Sequence, residues 1–70
     1  MNRNLLEAKL KEKGTNVSEI SMYLSIDKAT FYRKLSGVSD FYTNEIKEIM
    51  KFLNLTIEEM EKIFFDDFVA

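Results

Sequence analysis

The 70-residue chain contains no cysteine, no histidine, no proline and no tryptophan, and only two glycines. Without cysteine and histidine there is no disulfide framework and no conventional zinc site, so a core alone has to hold the fold. The scarcity of proline and glycine argues against a sandwich or barrel of short strands, which needs turn residues at close, regular intervals; it suits helices joined by short polar turns. No apolar run approaches the ~18 residues of a membrane span, and Met1-Asn2-Arg3-Asn4 leads directly into a charged amphipathic segment without the features of a signal peptide. The expected location is therefore cytoplasmic. Catalysis is disfavoured, because the remaining candidates are carboxylates, Lys, Ser and Tyr, and a domain this small is expected to have little room for a cleft of ~300 Å³. No cofactor and no small-molecule ligand are expected.

What is present is a regular recurrence of Leu, Ile and Phe within a chain that is 46% hydrophobic and 31% charged, a globular composition. Seventy residues suffice for one small core, so residues 1–70 are read as a single domain. A first helix is predicted from about Arg3 to Lys13, with Leu6 and Leu10 on its buried face, Leu5 and Ala8 beside them, and Gly14 as its left-handed cap. Asn16 is an N-cap for a second helix, and Glu19 completes a capping-box-like pattern before Ile20 and Leu24. Asp27 caps a third helix carrying Phe31 and Leu35, closed by Ser36-Gly37. After a loop over 38–43, Thr43 is expected to cap a fourth helix in which Ile46, Ile49, Met50 and Leu53 follow the i, i+3, i+4, i+7 template. Thr56 opens a fifth, with Glu59 at the capping-box position and Ile57, Met60, Ile63 and Phe64 as its apolar face. Residues 66–70 are expected to fray.

Residues 16 to 36 pair two short helices across a few-residue connection, which forces a steep crossing. Counting from Val17, the fourth, eighth, tenth and fifteenth positions are Ile20, Leu24, Ile26 and Phe31, where a helix-turn-helix needs apolar side chains. The fifth, Ser21, is small, as it must be where the second helix passes over it. On these residues, and on Thr30-Phe31-Tyr32-Arg33-Lys34-Leu35-Ser36-Gly37, the chain resembles the phage-repressor and Cro-like family of helix-turn-helix regulators, small phage-encoded members in particular. The likeness runs from roughly Leu5 to Phe65. It implies an all-α, five-helix, lambda-repressor-like domain that binds double-stranded operator DNA and regulates, most simply represses, transcription. Two positions depart from the family's pattern: Ser25 stands where the turn usually has Gly, at a cost of order 1 kcal/mol if left-handed, and Lys34 where an aliphatic residue is usual.

In such a domain the exposed start of the third helix enters the major groove. The resemblance then makes Lys28, Ala29, Tyr32 and Arg33 the candidate base contacts, Arg33 foremost, since its planar fork matches the O6 and N7 acceptors of guanine. Val17 and Ser18, at the positive end of the second helix, and Thr30, Lys34, Ser36 and Thr43 are candidate phosphate contacts. Phe64, Phe65, Phe68 and Val69 exceed what one helix face buries; either some fold back on the core or they form a two-fold contact. A homodimer would set two recognition helices about 34 Å apart.

Charge cuts both ways. The chain is acidic, with a pI of about 5.0, whereas duplex binders are usually basic. Residues 1–37 carry seven cations and four anions, net +3, and residues 38–70 three cations and eight anions, net −5, which together give the overall −2. A dipolar molecule can turn its basic end to phosphate. The alternative reading is a protein-interaction module on the same fold, an antirepressor or inhibitor that binds a protein through acidic helices 4 and 5.

Overall fold

The computed structural model describes residues 1–66, in which the chain forms α1 (Arg3–Glu12), α2 (Val17–Leu24), α3 (Lys28–Leu35), α4 (Thr43–Phe52) and α5 (Ile57–Phe64), with no strand among the described residues. Each helix start has a local cause. Asn2, Asn16 and Asp27 accept with their side chains from the amides of Leu5, Glu19 and Thr30 at 3.0, 2.9 and 2.7 Å, each satisfying an otherwise orphaned donor. At Thr56 the exchange is reciprocal: the Glu59 amide donates to the Thr56 hydroxyl at 3.1 Å, and the Thr56 amide to the Glu59 carboxylate at 2.9 Å.

Two expected caps differ. The N-cap of α4 is Tyr42, not Thr43, because the Glu45 carboxylate reaches back to accept from the Tyr42 amide at 2.8 Å and fixes the first turn one residue earlier. Glu19 does not complete its capping box; its carboxylate accepts from the Thr15 hydroxyl at 2.8 Å instead.

The C-terminal ends rely on left-handed backbone. Gly14 (φ 71°) follows α1 and Gly37 (φ 88°) follows α3, while Ser25 (φ 59°) ends α2 in the same conformation without the freedom of a glycine.

One core joins all five helices: Leu6 and Leu10 of α1, Ile20 of α2, Phe31 and Leu35 of α3, Ile49 of α4, Leu53 and Leu55 between α4 and α5, and Ile63 and Phe64 of α5. Phe31 is fully buried and meets Phe41 edge-on at 5.5 Å between ring centroids, and Phe41 meets Phe64 at 5.6 Å. Three expectations about this core are corrected. Phe64 folds back into it and is unavailable as a dimer contact. Ile57 is 64% exposed, because the first residue of α5 points away from the bundle. Ala8 lies on the solvent side of α1. Asp66, expected to fray, sits with its carboxylate 3.3 Å from the Met1 amino group. Phe68 and Val69, the other proposed dimer residues, lie outside the described residues.

Across the bundle, the Asn2 amide donates to the Ile63 carbonyl, tying the start of α1 to the end of α5 at 2.6 Å. Lys9 of α1 pairs with Glu59 of α5 and, at 2.9 Å, with Glu12. The Glu59 carboxyl is held down to about 2, first by the Lys9 ammonium and then by the Thr56 amide, and Lys9 is raised first by the Glu59 carboxylate and then by that of Glu12.

Candidate nucleic-acid interface

α2 packs against both α3 and α4, with Ile20, Ser21 and Phe31 buried and Ile26, between α2 and α3, packed against the same core. Ser21 is 2% exposed, leaving no space for a larger side chain where the helices cross. The left-handed Ser25 turns the chain sharply, and the Ile26 amide donates back to the Ser21 carbonyl at 3.0 Å, so α3 starts within three residues of the end of α2. With Phe31, Lys34 and Leu35 buried, the opposite face of α3 presents Lys28, Ala29, Tyr32 and Arg33, residues spaced i, i+1, i+4 and i+5 on one surface.

That surface is polar and partly pre-ordered. The Arg33 guanidinium donates to the Thr30 hydroxyl at 3.1 Å, which occupies Thr30 within the helix. The Thr30 hydroxyl and amide, and then the nearby Arg33 charge, hold the Asp27 carboxyl below its ordinary range, so the cap of α3 stays ionised. Beside α3 lies the start of α2: the amides of Val17 and Ser18 precede the first intrahelical bond, from the Ile20 amide to the Asn16 carbonyl at 3.1 Å, and are free to meet an anion. A shallow cleft of about 340 Å³ joins Val17 and Ser18 to Lys28 and Tyr32, with Lys11 and Glu7 of α1 on its rim.

Val17, Ser18, Lys28 and Tyr32 are thus brought together, with Ala29 and Arg33 on the adjoining face of α3. Lys11 is a neighbour that the sequence did not single out. In sequence it is one of two cations near a helix end, and the turn after α1, closed by the Thr15 amide donating to the Leu10 carbonyl at 3.0 Å, brings it to the same cleft as Val17.

Lys34 is a correction. It is 6% exposed, and its ammonium is spent on the Glu45 carboxylate at 3.0 Å, the Asp40 carbonyl at 3.0 Å and the face of Tyr42 at 4.1 Å, so it has no reach to a phosphate. Ser36 and Thr43 are exposed at the end of α3 and the start of α4, with the Ser36 hydroxyl donating to the Arg33 carbonyl at 3.1 Å. The expectation that the domain lacks room for a cleft also fails. A second open cleft, of about 640 Å³, lies between the end of α3, Met1 and the end of α5 at Phe64 and Phe65.

A family model for the Cro/C1-type HTH DNA-binding domain matches residues 6–66. The chain belongs to this family. No curated protein and no solved structure gives a significant match. Membership accounts for the α2–α3 pairing and the five-helix order, and it makes the chain a DNA-binding domain of a transcription regulator, with double-stranded DNA as its partner. Within the Cro/C1-type pattern, the departure at Ser25 is accommodated by the left-handed backbone itself. The departure at Lys34 is accommodated by packing the aliphatic stem where the family places an aliphatic residue and neutralising the charged tip inside. No helix among the described residues is long and apolar enough to cross a membrane.

Proposed function

We propose that this Cro/C1-type domain reads a specific operator, with α3 in the major groove, Arg33 bonding a guanine edge, Lys28 and Tyr32 flanking it, and Ala29 against a thymine methyl group. The observation that carries the reading is the single exposed face formed by Lys28, Ala29, Tyr32 and Arg33 beside the free amides of α2. Val17, Ser18 and Lys11 take one phosphate, and Ser36 and Thr43 approach the backbone on the far side, with Thr30 contributing through its hold on Arg33. The protein acts as a repressor, since occupancy of an operator is enough to block transcription, and its phage origin rests on the likeness of Thr30 to Gly37 to small phage-encoded regulators.

It binds as a homodimer, which compensates for the weak attraction of an acidic monomer to DNA by doubling the contacts. Phe65, 39% exposed at the end of α5, is the described residue left to serve that contact. The acidic half favours a second reading, a protein-interaction module that uses the exposed Glu58 and Glu61 of α5. Selection of duplexes from a random pool separates the two. A DNA reader enriches one sequence and shifts it in a gel as a dimer; an interaction module enriches none.

A further inference from the structure

The buried Lys34 joins two elements that do not otherwise pack closely. α3 rests chiefly on α2, and α4 also rests on α2. Between them, the Lys34 ammonium crosses from the inner side of α3 to the Asp40 carbonyl in the connecting loop and to the Glu45 carboxylate in the first turn of α4, both at 3.0 Å, under the ring of Tyr42. The side chains of Lys34 and Glu45 are 5% and 11% exposed, so the pair is shielded from salt and competing water. The same Glu45 oxygen accepts from the Tyr42 amide at 2.8 Å, so one carboxylate sets both where α4 begins and how far that start lies from α3.

We propose that Lys34 is a positioning residue for DNA recognition: through Glu45 and Asp40 it fixes the spacing between the groove-facing side of α3 and the start of α4, where Thr43 meets the DNA backbone. This rests on the reading of α3 as the base-reading helix. A phosphate contact at Thr43 and a base contact at Arg33 are made together only if their separation matches the duplex, so the strut acts when α3 is seated in register and is idle in loose, sequence-independent binding. Lys34 touches no phosphate and releases no counterion.

Removing Lys34 alone would strand a buried carboxylate and destabilise the fold. The test therefore pairs Lys34→Met or Lys34→Leu with Glu45→Gln, which keeps an acceptor for the Tyr42 amide and supplies the aliphatic residue usual at this place in the family. The probes are the duplex selected by the unaltered protein from a random pool and a random-sequence duplex, with melting recorded to confirm that each variant is folded. The expected result is an affinity about tenfold lower for the selected duplex, the loss of roughly one hydrogen bond to a charged group. Binding to random DNA should change less than about twofold, with an unaltered slope of log K against log salt, since no Lys–phosphate pair is lost.

A uniform loss with a slope lower by about one would make Lys34 a phosphate contact and overturn the proposal. Unchanged binding, or failure of both double variants to fold, would overturn it as well. Arg33→Ala serves as the control. If it too leaves the preference intact, or if no duplex is selected at all, the base-reading role of α3 fails; if it abolishes the preference while the double variants do not alter binding, only the strut fails.

Discussion

Replacing Phe31 with alanine should bring the domain to the edge of unfolding. The ring has no exposed surface and lies at the centre of the bundle, edge-on to Phe41, which is edge-on to Phe64. Truncating a buried Phe costs about 3 to 5 kcal/mol, the cost rising when the neighbours cannot collapse into the space. The core to which it belongs draws on all five helices, so even the lower end of that range is a large loss. Losing the edge-to-face contact with Phe41 removes about 0.5 to 1.5 kcal/mol that is part of this cost. At about 0.05 to 0.15 kcal/mol per residue, a domain of this length holds only some 4 to 10 kcal/mol in all. With each kcal/mol worth about 4 to 8 °C, the midpoint should fall by at least about 12 °C. Far-ultraviolet circular dichroism during thermal and urea unfolding would measure it. A midpoint within about 5 °C of the unaltered protein would mean that Phe31 is not central to the core and that the register of α3, on which the exposure of Arg33 depends, is wrong.

Ser25→Gly should stabilise the fold by up to about 1 kcal/mol, because φ is 59° there and a side chain is strained in that region; a lower midpoint would show that the Ser side chain contributes more than the strain costs. Stability should also decline below the ordinary glutamate range. The Glu59 carboxyl is depressed from 4.5 to about 2 by Lys9 and Thr56, so the stability it contributes is present above about 4.5 and is lost as pH falls toward 2. Glu59→Gln, which can still accept from the Thr56 amide, should flatten that part of a plot of urea midpoint against pH, and an identical slope in the two proteins would exclude the Lys9 pair as the cause.

Much of the fold was legible because its signals are local. Asn16, Asp27 and Thr56 make the cap bonds their positions suggest, Gly14 takes the left-handed backbone, and Ile49 of α4 and Leu53 at its end are buried as their spacing predicts. The exposed face of α3 followed from Phe31 and Leu35 by helical period alone. The failures occur where tertiary structure decides. Lys34 reads as a surface cation in a last turn, and nothing near it in sequence announces Glu45, eleven positions on. Tyr42 rather than Thr43 caps α4 because a carboxylate reaching back to an amide outweighs the capping preference of a threonine hydroxyl. Phe64 looked surplus when α5 was counted by itself and is buried because Phe41, from a loop, comes to meet it. Lys11 entered the candidate site only through the cleft it shares with Val17 and Lys28.

The central claim, that α3 reads bases while the start of α2 holds a phosphate, is tested most directly by comparing Arg33→Ala with Lys11→Ala on the selected duplex and on random DNA across a range of salt. Arg33→Ala should lose about 1 to 3 kcal/mol on the selected duplex, relax preference at one base pair, and bind random DNA nearly as before. Lys11→Ala should weaken both duplexes alike and lower the salt slope by about one per subunit. If both substitutions leave DNA binding unchanged while charge reversal at Glu58 or Glu61 abolishes binding to a protein partner, the account of the α3 face is contradicted and the acidic helices carry the function.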